Sequence, residues 1–162
     1  MTPLAEELGK RDPFDLPEQE AMLNIARTMA RLSEPFDQLF KSYGVSGPLF
    51  NILRILRGTG GDGVPSGEIG PQMVTPAPDV TRLVDRLEKL GLAARQRSDA
   101  DRRVVLVKLA PKGRRLLTKL DPQVRQLHRD TLGHLSATEL RSINKLMVRA
   151  RGATPGANND SA

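Results

Sequence analysis

The chain of 162 residues has no cysteine and no tryptophan. Lack of cysteine excludes disulfides, a thiolate nucleophile and a thiol switch, and leaves a zinc site dependent on scattered carboxylates and histidines. Histidine occurs only at His128 and His134. That spacing sets the two on different sides of a helix, unlike the i,i+4 pair that grips a metal. No run of about 18 apolar residues is present, so no membrane-spanning helix is expected. The start MTPLAEELGKRDPF lacks the basic-then-apolar order of a signal peptide, and the expectation is a cytoplasmic protein. There is no nucleophile beside a base, no P-loop and no recognisable carboxylate pair. GTGGDG at 58–63 matches GxGxxG in letters, but a helix precedes it where a dinucleotide site needs a strand, so it reads as a turn. Neither an enzyme nor a metal or other cofactor is expected.

What is present is positive charge, in one place. The formal net charge is +6. Residues 75–115 hold eleven Lys/Arg against five Asp/Glu, and the rest of the chain balances at fourteen of each. Charge focused in a quarter of a chain implies a polyanionic partner, most often nucleic acid.

Apolar periodicity organises the rest. Residues 1–16 and 152–162 are polar and rich in Gly and Pro, and are expected to be flexible. Met22, Ile25, Met29, Leu32, Phe36, Leu39 and Tyr43 recur at alternating spacings of three and four, the seam of a helix over about 18–43 that lies along another helix, with a kink expected at Pro35. A second helix, about Gly47–Arg57, turns Leu49, Ile52, Leu53 and Leu56 inward. A short helix near Ser66–Val74 is expected to be shortened or distorted by Gly70-Pro71. In TPAPDVTRLVDRLEKLGL, Thr75 is a candidate cap, Pro76 the first helical residue and Gly91 the stop. Val80, Leu83, Val84, Leu87 and Leu90 share one face of that helix; Pro78, Thr81, Arg82, Asp85 and Lys89 look away, with Arg86 on the flank. After Gly91 the period changes to two, predicting strands over 92–97 and 103–109. A helix follows from Pro111, bent or restarted at Asp121-Pro122. The capping box Ser136–Glu139 opens a last helix with Leu140, Ile143, Met147 and Ala150 inward.

Helix, helix, turn, amphipathic helix, hairpin, helix is the order of a winged helix-turn-helix, a mainly α fold with a small β-hairpin wing. The seam from Met22 to Tyr43 and the last two helices hold more apolar surface than such a body covers, which points to a dimer. The helix over 76–90 has the dimensions of a major-groove reader. Arg82 and Arg86 suit guanine edges or phosphates, and Thr81 a phosphate or a thymine methyl. A hairpin of about six residues per arm reaches about 20 Å, enough to carry Arg102 and Arg103 toward a minor groove, where Arg answers the concentrated negative potential. A neighbouring carboxylate can hold such a guanidinium in one direction. Asp79 and Asp85 are expected to orient Arg82 and Lys89 at i,i+3 and i,i+4.

Val80–Glu88, Gly91-Leu92, Asp101-Arg102-Arg103 and Val107–Gly113 together resemble the recognition helix and wing of the MarR family of bacterial transcriptional regulators, and the resemblance extends over nearly the whole chain. It implies a single domain over 17–151, with dimerisation helices about 18–43 and 112–151 and a winged helix-turn-helix about 47–110. It implies a homodimer on double-stranded DNA at a pseudo-palindromic operator, usually as a repressor, often released by a small aromatic or anionic effector. By the same match Arg103 is the wing-tip arginine and Asp101 its supporting carboxylate. Pro78, Thr81, Arg82, Arg86, Lys89, Arg97, Arg102 and Arg103 are the DNA-binding candidates. Phe36, Phe40, Tyr43, Phe50 and Arg54, near the junction of dimer helices and DNA-binding body, are the candidates for an effector pocket. Two other readings stay open: a nucleic-acid-binding architectural protein without sequence choice, and a helical dimerisation module whose basic wing docks an acidic protein.

Overall fold

The computed structural model describes residues 2–152. It divides into two compact units whose boundary in sequence falls between Val124 and Arg125. Of the expected tail over 152–162, residue 152 ends the last helix and residues 153–162 lie outside the described residues.

In the first unit, the segment expected to be flexible carries a short helix, α1 (Pro3–Glu7), with Leu4 and Ala5 buried. Its Glu7 accepts a 2.8 Å bond from Arg27, which ties it to α2 (Pro17–Ser42). Helix α2 contains Pro35 without interruption. The seam is covered unevenly. Phe40 is buried and Phe36, Leu39 and Tyr43 pack against the core, whereas Met22 and Met29 are 66% and 60% exposed.

Helix α3 (Gly47–Gly58) buries Leu49, Ile52, Leu53 and Leu56 as its spacing requires. The glycine-rich stretch after it is a turn, with Gly60, Gly61 and Gly63 at positive φ. The chain then forms a strand absent from the sequence reading, β1 (Val64–Pro65), and a 3-10 turn at Ser66–Glu68. Helix α4 (Ile69–Gln72) is a single turn. By starting at Ile69 rather than Ser66, α4 places Pro71 among first-turn positions, where no intrahelical N–H is needed.

After α5 (Val80–Lys89) come β2 (Ala93–Arg97) and β3 (Val105–Leu109). The sheet is antiparallel with order β1-β3-β2, pairing Val64 with Val107 and Arg95 with Val107 on its two sides. Helix α6 (Pro111–Leu132) runs through Pro122 without the expected restart and buries Leu117, Leu120 and Val124. At its start Gly113 packs directly on Leu92, the residue before β2, where a Cβ would lie 2.2 Å from the carbonyl oxygen. The core gathers α3, Ile69, Val84 and Leu87 of α5, Val107 and these α6 residues.

The second unit holds the end of α6 and α7 (Ala137–Gly152). The capping box forms: Ser136 N–H and Oγ bond the Glu139 carboxylate at 2.8 and 2.7 Å, and Glu139 N–H reaches Ser136 Oγ at 3.3 Å. These bonds hold the Glu139 carboxyl below its ordinary value. Of the expected inward face of α7, Leu140 and Met147 are half-buried and Ile143 and Ala150 exposed; no α7 residue is buried, and Leu146 and Val148 are exposed as well.

Candidate nucleic-acid interface

The recognition helix begins later than its sequence signals suggest. Residues preceding proline disfavour the helical region, so Thr75 before Pro76 and Ala77 before Pro78 stay outside. Asp79 is the cap instead: its Oδ1 accepts the Arg82 N–H at 2.9 Å. Pro76 and Pro78 therefore precede the helix rather than fill its first turn. The loop before them is pinned by Asn51 of α3, whose Oδ1 accepts the Val74 N–H at 2.8 Å. At the other end Gly91, φ 68°, closes the helix. Its N–H donates to Glu88 O at 2.8 Å and the Leu92 N–H to Leu87 O at 2.9 Å, a glycine stop read correctly from sequence.

Val84 and Leu87 are buried and Val80, Leu83 and Leu90 pack against the core, so the opposite face of α5 is outward. Thr81, Arg82, Arg86 and Lys89 are exposed, as is Pro78. Asp79 lies 3.7 Å from the Arg82 guanidinium, the expected i,i+3 pair. Asp85 departs from expectation. It bonds Arg95 of β2 rather than orienting Lys89, because Arg95 comes from the adjoining strand with a longer, forked side chain.

The hairpin joining β2 and β3 is closed by backbone and side-chain bonds. Ser98 N–H donates to Val104 O, and Val104 N–H to Asp101 O, each at 2.9 Å. Asp101 Oδ1 accepts the backbone N–H of Arg103 at 2.9 Å. Asp101 thus supports the wing through the main chain, not by a grip on a guanidinium: an aspartate bonding two residues on stabilises a turn locally. Arg97, Arg102 and Arg103 are exposed around this turn.

Arg95 is the functional candidate that sequence reading missed. It is half-buried, donating from its guanidinium to Asp85 and Glu88 and toward Thr81 O at 3.4 Å, and from its backbone N–H to Glu88 Oε1 at 2.8 Å. Its guanidinium is held protonated above its ordinary range, first by the Asp85 bond and further by Glu88, against the cost of partial burial. A signal existed: Arg95 shares the β2 face of buried Ala93, an inward register that a cation occupies only with partners.

The effector-pocket candidates separate. Phe36, Phe40 and Phe50 form a ring cluster in and against the core, with Phe40 stacked on Phe50 at 4.5 Å. Arg54 and Arg57 both bond Asp121, at 3.3 Å and 2.6 Å. Tyr43 instead lines a cleft of about 310 Å³ with Leu90, Leu92 and Leu116 as apolar wall and Lys112, Arg115 and Lys119 as cations. Lys112 Nζ donates to Leu90 O at 2.9 Å, so the cleft touches the end of α5.

A family model described as the MarR family matches residues 43–104, from the end of α2 into the hairpin. The chain is 30% identical over 135 residues to the transcriptional repressor MprA of Escherichia coli strain K12, covering 82% of this chain and 76% of MprA. A MarR transcription factor from Planctomyces limnophilus superposes with TM-score 0.63 at 40% identity, over 83% of this chain and 98% of that one. Bordetella bronchiseptica BpsR, whose DNA binding is regulated by 6-hydroxynicotinic acid, superposes with TM-score 0.74 at 27% identity, over 88% of this chain and all of BpsR (100%).

Proposed function

The chain belongs to the MarR family of transcriptional regulators, and from that premise we propose that it is a cytoplasmic homodimeric repressor that binds a pseudo-palindromic operator and is released by a small ligand. The observation that carries this reading is the exposed cation set on two adjoining elements: Arg82, Arg86 and Lys89 on α5, and Arg97, Arg102 and Arg103 on the hairpin. Each phosphate neutralised releases counterions, so binding weakens steeply with salt; base edges read by Arg82 and Arg86 supply the sequence choice. Pro78 just before the helix and Thr81 in its first turn touch backbone or a thymine methyl. Arg103, on a tip stiffened by Asp101, enters the minor groove.

Two copies are needed for two half-sites about 34 Å apart. The uncovered stripes on α2 and α7 support a dimer, since a monomer would leave them in water. In this reading the helices over 18–43 and 112–151 pair the copies and residues 47–110 hold DNA. The effector site is the Tyr43 cleft, whose cations suit a small aromatic carboxylate. An anion at Lys112 competes with the Leu90 carbonyl for its ammonium, so occupancy loosens the end of the recognition helix. BpsR supplies the parallel of a ligand that regulates DNA binding.

The test is selection of bound duplexes from a random pool, then salt titration of the winner against a scrambled duplex. A preference of at least ~10³ at physiological salt supports the operator reading. Equal affinity on both duplexes would replace it with architectural binding. Binding of an acidic protein without duplex binding would leave only the docking reading. Arg103→Ala should weaken operator binding about tenfold with dimerisation unchanged.

A further inference from the structure

Arg95 touches α5 along most of its length. Its partners Thr81, Asp85 and Glu88 lie at i, i+4 and i+7, one row on the helix face turned toward β2. The strand that carries it continues two residues later into Arg97 and the wing turn. The bond from its backbone N–H to Glu88 also holds the strand itself. We infer that Arg95 is a positioning residue that locks the hairpin to the recognition helix, so that wing and helix approach DNA as one rigid reader.

The chemistry favours this over simple charge balance. Asp85 and Glu88 are two carboxylates on a helix meant to face phosphates, and one guanidinium answers both. Nη1 bonds both carboxylates while Nη2 reaches toward Thr81 O, and a lysine, a point charge on one nitrogen, cannot make all three contacts from the two ends of a planar fork. The fork also fixes direction: contacts from two nitrogens of one plane leave little freedom to swing about the strand, whereas contacts from one nitrogen leave a pivot. With the joint made, a contact by Arg103 at the wing tip is pre-organised by the seating of α5, and its binding free energy is not spent on ordering the hairpin. With the joint broken, the hairpin loses its fixed angle to α5, and its turn bonds around Asp101, no longer anchored to the helix, open more often.

This inference rests on the DNA-binding reading for its consequence but not for its physics, so the test has two arms. In the free protein, hydrogen exchange of the Ser98, Arg103 and Val104 amides should rise about tenfold in Arg95→Met, with the α3 amides of Ile52 and Leu53 unchanged. Asp85→Asn, which keeps the helix and its shape, should give a smaller rise in the same amides and stands in if the methionine variant does not fold. Arg95→Lys should leave most of the rise in place. Hairpin exchange equal to the parent in Arg95→Met, or in Asp85→Asn where it stands in, overturns the joint, and so does full rescue by lysine.

The second arm is a double-mutant cycle on the selected duplex. Arg103→Ala should cost about tenfold in the parent and less than about threefold in the Arg95→Met background, because an unheld wing has little contact left to lose. Equal costs in both backgrounds overturn the joint. A parent protein that binds no duplex sinks the DNA reading, and the exchange arm then decides Arg95 alone.

Discussion

Helices α3 and α7 carry the same kind of apolar stripe and meet opposite fates. In α3, Leu49, Ile52, Leu53 and Leu56 are all buried; in α7, with Leu140, Ile143, Leu146, Met147 and Val148, no residue is. The stripe states which face needs cover, not whether the chain supplies it. Helix α3 is held by tertiary packing and shows no side-chain cap bond at Ser46. Helix α7 is held at its start by the reciprocal bonds of Ser136 and Glu139. One helix depends on its surroundings within the chain. The other has strong local signals and an open face, which the proposed dimer would cover.

Four measurements break or sharpen that contrast. Leu53→Ala should cost about 2–5 kcal/mol in equilibrium denaturation, as for a fully packed core position, at any protein concentration. Leu146→Asp should cost about 2 kcal/mol of association, read as a shift toward monomer in sedimentation, with the fold of residues 45–120 intact by hydrogen exchange. If Leu146→Asp instead unfolds the chain without concentration dependence, its face is ordinary core and the contrast fails. Ser136→Ala should cost about 1 kcal/mol of helix stability, seen as faster exchange in the first turn of α7 and nowhere in α3. The smallest effect is with pH. The Glu139 carboxyl is held below its ordinary value of 4.5, so its contribution is complete above that value and is lost as pH falls through its lowered folded one. Exchange in the first turn of α7 should therefore rise in acid ahead of α3, and Glu139→Gln should remove the difference.

Local chemistry carried much of the fold into the sequence. Leu49–Leu56 on α3, the glycine stop at Gly91, the switch to a two-residue period after it and the Ser136–Glu139 box are each written within about seven residues, and each appears in the structure. What was not legible depends on partners far along the chain. Strand β1 has two residues and exists because Val64 and Pro65 find Val107 and Leu106. Leu4 and Ala5 make a helix of a segment whose composition suggested none. At the recognition helix the competition was local but misjudged: Thr75 and Asp79 are both good caps, and the prolines between them decide for Asp79. The exposed arginines were named from sequence, and each lies on the surface of α5 or the wing. For Arg95 the register with Ala93 marks an inward cation but not its partners, because its three contacts on α5 lie seven to fourteen residues back, across the Gly91 turn from helix to strand. The effector candidates show the same limit. Aromatic spacing located the junction at Tyr43 but could not separate rings that fill the core from the one that edges a cleft.

The two ends of the small sheet have one more consequence. An open β edge is a template for another chain's strand, a route to aggregation. Here one edge is β1, two residues long, where Pro65 has no N–H to offer; the other is β2, studded with Arg95 and Arg97. A hairpin thrust outward is the sort of element that neighbouring molecules extend into a continuous ribbon. Ending the sheet in an imino acid on one side and cations on the other lets this protein hold such a finger in crowded solution without recruiting its own kind through the wrong surface.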